Sequence, residues 1–213
     1  MSETPSRLLL ELEQVGVRVD DVWELVNTAQ KYPTAIPVLL RWLDRINELP
    51  VGKSREKLRE GLIRALSVPY ARGQAAPLIL KQFNEISDMN ELGLKWVAGS
   101  ALGVVADVSV ADEVVEILLD RSLGRAREMV FEAIPRIANS RPEIVDGLRS
   151  LLDDEAVVPF VICALGQLRD VQSREEIASF VASDHPLASR QARTALRRLD
   201  AELARREAAN SRE

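Results

Sequence analysis

The chain has 213 residues, 46% of them hydrophobic and 4% aromatic, with a net charge of -5 and a single cysteine. That length and apolar share describe a globular chain with ample core, and the lone Cys163 excludes an internal disulfide, which fits a reducing compartment. The negative balance gives no general attraction to nucleic acid or to anionic membranes.

The opening MSETPSRLLLELEQ lacks a basic stretch followed by an apolar one, so no signal peptide is expected. No apolar run approaches the roughly 18–20 residues that span a bilayer, and a cytoplasmic chain is expected. Helical spacing runs almost throughout, and no strict alternation bounded by turn residues predicts a sheet. A first helix is expected over Arg7 to Gln14, and five helix pairs follow it. The pairs are Asp20–Lys31 with Thr34–Asn47, Ser54–Ser67 with Ala75–Ser87, and Asn90–Ala106 with Ala111–Ser122. Then come Arg125–Asn139 with Arg141–Asp153 and Glu155–Arg169 with Arg174–Ala182. A long last helix runs from Pro186 towards Arg206. The expected organisation is one domain over residues 1–208 with a polar tail at 209–213. Pro37, Pro135 and Pro159 fall inside these spans, where a proline removes a hydrogen bond and bends a helix.

Two sequence columns share one period. Ala101-Leu102, Ala133-Ile134, Ala164-Leu165 and Ala195-Leu196 stand 32, 31 and 31 residues apart, with a weaker member at Ala65-Leu66. Ser109-Val-Ala-Asp112, Ser140-Arg-Pro-Glu143 and Ser173-Arg-Glu-Glu176 each place an acid three residues after a serine and before an apolar run. That spacing predicts a helix N-terminus in which the serine hydroxyl accepts an orphan amide and the acid reaches back. Two columns in fixed phase predict a repeat of two helices.

The phrase Ala164-Leu-Gly-Gln-Leu-Arg-Asp170 resembles the short HEAT-like repeats of about 30 residues found in phycobilisome lyases, and Ala101-Leu-Gly-Val-Val-Ala-Asp107 is similar to it. Ala133-Ile-Pro-Arg-Ile-Ala-Asn139 departs, with Pro for Gly and Asn for Asp. The stretch from Val22 to Ile46 resembles the opening of a group of bacterial HEAT-repeat proteins of unassigned function. The resemblance implies an all-α fold, an α-solenoid of stacked antiparallel helix pairs whose second helices line a concave face. It implies nothing about chemistry, because the motif residues are packing and capping residues.

Catalytic and metal-binding sets are not assembled. One His and one Cys cannot make a zinc site, nor the several His-Glu pairs of HEAT-repeat iron hydroxylases. His185 precedes Pro186 at a helix start, and Cys163 sits between Ile162 and Ala164 in an apolar run. No cofactor is expected, and no enzyme activity. Carboxylates recur with the helices: Asp112, Glu113, Glu116 and Asp120 on one second helix, Glu143 and Asp146 on the next, Glu175 on the third. No lysine follows Lys95 to neutralise them. They predict an acidic strip for a basic partner. Charge also segregates: residues 51–81 hold seven bases against two acids, and 82–120 one base against eight acids. The C-terminal helix is basic again through Arg190, Arg193, Arg197, Arg198, Arg205 and Arg206.

The function expected is a non-enzymatic protein-binding scaffold or adaptor working through a concave face, an inhibitor or immunity-type binder among them. Its binding candidates are Asp112, Glu113, Glu116, Asp120, Glu143, Asp146, Glu175, Trp42 and Arg45. A protein partner is expected, a basic one fitting the acid rows, while nucleic acid and membrane are not. A homo-dimer through opposite patches is left open. The alternative is a DNA-binding or DNA-repair protein similar to the HEAT-repeat alkylpurine glycosylases, using Arg41, Trp42, Arg45 and the bases from Lys53 to Arg64. If the Ala-Leu column is core, Leu165→Ala costs about 2–5 kcal/mol in urea denaturation, and a loss below about 0.5 kcal/mol contradicts it.

Overall fold

The computed structural model of the chain describes residues 3–26, 28–87 and 93–211. Asn90, where one helix is expected to start, and the acids Asp88 and Glu91 lie outside the described residues. Among the described residues every regular element is helical. The α-helices are α1 Glu3–Gln14, α2 Ile36–Asp44, α3 Lys53–Leu66, α4 Ala76–Glu85, α5 Leu94–Val105 and α6 Ala111–Leu119. They continue with α7 Ile134–Ile137, α8 Ile144–Arg149, α9 Val158–Leu168, α10 Arg174–Ser179 and α11 Pro186–Asn210. The last helix runs beyond its expected end near Arg206.

Three expectations about helix starts are corrected, each for a local reason. Pro37, Pro135 and Pro159 do not kink helix interiors; each lies in the first turn of its α-helix. Proline has no amide to leave unpaired there and its φ is already helical, so it sets the start. Residues before it take other forms: Arg121–Ala133 is 3-10 rather than α, broken at Gly124 with φ 48° and ψ -130°. Of the helix expected over Asp20–Lys31, the described residues form a 3-10 turn, Val22–Leu25. A longer α-helix would give the Leu25 carbonyl to an amide four residues on; instead it faces the Tyr32 hydroxyl at 3.0 Å.

The serine caps are the third correction. Ser109 Oγ donates to Asp107 Oδ1 at 2.6 Å, Ser140 Oγ to the Ile137 carbonyl at 2.7 Å, and Ser173 Oγ to Asp170 Oδ2. A carboxylate is the stronger acceptor, so Ser109 and Ser173 donate backwards to the aspartate that ends the Ala-Leu-Gly phrase, and Ser140, whose copy ends in Asn139, turns back to a backbone carbonyl instead. Asp107 Oδ1 also receives the Ser109 amide at 3.0 Å, and Asp120 Oδ1 receives the Ser122 amide at 2.9 Å. The starts at Ser109, Ser122 and Ser173 are thus fastened by aspartate.

Two compact units form, residues 1–110 and 111–213. In the first, α3 packs on α2, on α5 and on the Val22–Leu25 turn, and α4 packs on α5. Leu62, Ile63, Leu66, Leu39, Leu43, Ala101 and Leu102 are buried there. Polar side chains fasten its irregular joints. The Tyr32 hydroxyl lies 2.8 Å from the Ala65 carbonyl and so ties the first turn to α3. Buried Lys95 donates to the Ile86 carbonyl at 2.9 Å and stands 4.8 Å from the Phe83 ring centroid.

In the second unit α9 lies along α11, and α6 packs on α8 and on the 3-10 stretch. Ala133, Ile134, Ala164, Leu165 and Ala195 of the repeated column are all buried. Among the described residues Arg127 heads the large side chains that are fully buried. Its guanidinium donates to the Leu118 carbonyl at 2.6 Å and to the Gly124 carbonyl at 3.3 Å, and it pairs with Asp154 Oδ2. Asp154 Oδ1 meanwhile receives the Ala156 amide at 3.1 Å ahead of α9. One cation therefore closes the end of α6 and the start of α9.

Gly166 marks a close approach of α9 to α11. A Cβ there would stand 2.6 Å from Ala195 Cβ and 2.8 Å from Ala195 Cα. The glycine is a contact residue, so the repeated phrase puts its small residue where the next copy's alanine must fit. Alanine gains about 1 kcal/mol over glycine in a helix, whereas overpacking costs about 1–3 kcal/mol. Gly166→Ala is therefore expected to lower the melting temperature, and Gly166→Ala with Ala195→Gly to restore part of the loss. A stabilised single variant would show that the helices do not touch there.

Candidate functional site

In the first unit α1 and α2 bound an open cleft of about 800 Å³. Leu8 and Leu12, one helical turn apart, go into the core, and the same period turns Leu10 outward. In α2 the residues Ile36, Val38, Leu39 and Leu43 are buried, which leaves Trp42 and Arg41 at the cleft. Leu10 stays 59% exposed against this wall. Val15 and Leu49 add apolar lining, and Arg45 and Glu48 form the rim.

The polar groups of the cleft converge on Glu11. Its Oε2 accepts the Trp42 indole N–H at 3.1 Å and Arg41 at 3.4 Å, and its Oε1 lies 3.4 Å from Arg7. The indole is thereby held from its N–H edge at the wall of the cleft. Arg45 pairs with Glu48 at 2.8 Å. The hydrogen bond from Arg45 holds the Glu48 carboxyl below its usual range and raises the guanidinium in return. Trp42 and Arg45, both singled out in the sequence, meet here. Leu10, Glu11 and Leu49 were missed, although the run Leu8-Leu9-Leu10 held a signal: three successive leucines cannot all face one core.

The acid candidates lie in the second unit, and most are already paired. Asp112 is bound by Arg141, whose Nε lies 3.9 Å from Glu143 as well. Asp146 pairs with Arg149 at 2.6 Å. Asp120 caps Ser122. Glu113, Glu116 and Glu175 are exposed and make no ion pair among the described residues. Arginine supplies the compensation that lysine does not, from a neighbouring segment at Asp112 and from the same helix at Asp146. Further pairs join Arg121 to Asp153 at 2.6 Å, Arg149 to Asp170 at 2.5 Å and Arg174 to Asp200 at 2.7 Å. The continuous strip is reduced to Glu113 and Glu116 on α6, with Glu175 apart on α10.

His185 is a capping residue: its Nδ1 accepts the Ala188 amide at 3.3 Å. Cys163 is half-buried, and burial pushes its thiol above the ordinary value, opposite to what a nucleophile needs. Among the described residues no group of three or more His, Cys, Asp or Glu is placed to hold a metal ion, and no helix is long and apolar enough to cross a membrane. Comparison with family models, with curated proteins and with solved structures finds no match.

The Arg–Asp bridges have a pH signature at Asp170. Burial alone would raise its carboxyl, but hydrogen bonds from Arg149 and Ser173 hold it below the ordinary value. A depressed folded-state pKa stabilises the fold above the unfolded value of about 3.9, and this contribution is lost as pH falls through the folded value. Asp170→Asn is expected to lose stability at neutral pH, with the gap to wild type narrowing below about pH 4. An equal gap at pH 7 and pH 3 contradicts this pairing.

Proposed function

We propose that the chain is a non-enzymatic binding module that holds a protein partner, with the α1–α2 cleft as its principal contact. The observation that carries this is the exposed Leu10 beside Trp42 in a cleft rimmed by arginine. A large apolar side chain left open next to a tryptophan is the surface from which binding hot spots are made, with Trp and Arg the residue types most enriched in them. Both helices are anchored through their opposite faces, so the cleft presents a formed surface and little ordering cost opposes binding. The partner segment suited to it carries an apolar anchor for Leu10 and Trp42.

The frame of this module is a stack of HEAT-like helix pairs, and the buried Ala-Leu column supports that reading. A concave binding face, and an inhibitor or immunity-type role, are special cases of it. The DNA-repair alternative loses ground at its own residues. Arg55 pairs with Glu56 at 2.9 Å, Arg64 pairs with Glu60 at 2.9 Å, and Arg59 is buried.

The test is affinity capture from the native cell followed by mass spectrometry, run side by side with three baits. These are the wild type, Leu10→Asp with Trp42→Ala, and Glu113→Lys with Glu116→Lys. The partner is expected to be lost with the cleft variant and kept with the acid variant. A partner recovered equally with the cleft variant removes the cleft from the account.

A further inference from the structure

Beyond the cleft, the outward face of α11 carries a row of arginines unlike the rest of its unit. Arg121, Arg141, Arg149, Arg174 and Arg205 each hold a carboxylate. Arg190, Arg193 and Arg197 are exposed and make no ion pair among the described residues. Arg193 reaches only the Val181 carbonyl and Arg197 only Thr194 Oγ1, both at 3.3 Å. At about 100° per residue the three lie within about 60° of one another, and at 1.5 Å rise they span about 10 Å. Ala188, Ala192, Ala195 and Leu199 are the buried side of the same helix, which puts the row at its back, facing solvent.

The two acids of α11 that follow the row most closely in sequence, Asp200 and Glu202, are occupied. Asp200 is taken by Arg174 at 2.7 Å. Glu202 is buried, and Arg205, Arg206 and Arg169 hold it at 2.7, 2.9 and 3.2 Å. Those hydrogen bonds keep its carboxyl far below the ordinary range, so it stays charged and bound. Three guanidinium groups thus stand free in a row whose fork geometry fits phosphate oxygens.

We propose that this row is a contact for the phosphate backbone of nucleic acid, distinct from the protein-binding cleft. A protein partner would need an apolar anchor at the centre of its contact, and the exposed large apolar side chains of the described residues are Leu10, Val51, Val108 and Leu119, none of them on α11. Backbone phosphates need no such anchor; binding to them gains from counterion release. No aromatic side chain belongs to α11, so the contact reads charge and not bases. The expectation that nucleic acid is no partner rested on the charge of the whole chain; the structure collects free cations on one helix face.

The experiment is titration of the full chain with a short DNA duplex at a series of salt concentrations, by fluorescence anisotropy. Three neutralised phosphates predict a slope of log K against log salt near -2.7, about a 500-fold loss per tenfold rise in salt. Arg190→Glu, Arg193→Glu and Arg197→Glu together are expected to abolish binding at low salt, with the helical circular dichroism unchanged. A charge-matched set at exposed positions elsewhere, Lys31→Glu, Lys53→Glu and Lys57→Glu, is expected to keep most of it. No binding of the duplex at low salt overturns the proposal. So does loss in the control set instead of the α11 set, or equal binding of a polyglutamate probe, which would mean an acidic protein surface.

Discussion

Short helices impose a shortage of hydrogen-bond partners, and the way this chain meets it organises everything else. Each helix end leaves orphan amides or carbonyls, and many of these α-helices run ten residues or fewer. Buried polar side chains close the gaps. Arg127 serves the end of α6 and, through Asp154, the start of α9. Lys95 takes the Ile86 carbonyl, and Tyr32 the Leu25 and Ala65 carbonyls. An unpaired buried charge would cost several kcal/mol, so each such residue fixes its neighbours as firmly as they fix it.

This arrangement also explains the unusual 3-10 stretch between α6 and α7. Its backbone bonds are poorer than those of an α-helix, and long runs of it are uncommon. Here the stretch carries Arg127, and Pro135 fixes where the α-helix resumes. The satisfaction is incomplete elsewhere: Trp23 Nε1, Arg59 Nε and Gln82 Oε1, all in the first unit, are buried without a hydrogen-bond partner. The pinning residues are consumed by the fold, whereas Leu10, Glu113, Glu116 and Arg190, Arg193 and Arg197 of α11 have exposed surface without such a task.

Much of the helix inventory was legible in the sequence, because amphipathic spacing and tertiary packing agree. The Ala-Leu column was legible for the same reason, and Leu196 alone among its members is half-buried. Helix starts were less so. Serine followed by an acid fits a capping box, but the rule is blind to an aspartate upstream that competes for the hydroxyl. Proline was read as an interior break when it marked a beginning, since the turn preceding it also shows helical spacing. The acid rows were read from one strand of the pattern only. Arg141 lies 29 residues from Asp112 in sequence and beside it in space, which no periodicity discloses. Arg127 gave no signal, because a buried cation and a solvated one look alike in a helical run.

The claim that buried polar pins hold this fold is tested most directly by a double-mutant cycle on Arg127 and Asp154, read by urea unfolding of the whole chain. Asp154→Ala leaves the buried Arg127 guanidinium without its counter-charge and Arg127→Met leaves the partly buried Asp154 without its cation, and each alone is expected to lose about 3–5 kcal/mol. Together they are expected to lose well under the sum, with a coupling of about 1–3 kcal/mol. Losses that simply add would contradict the account.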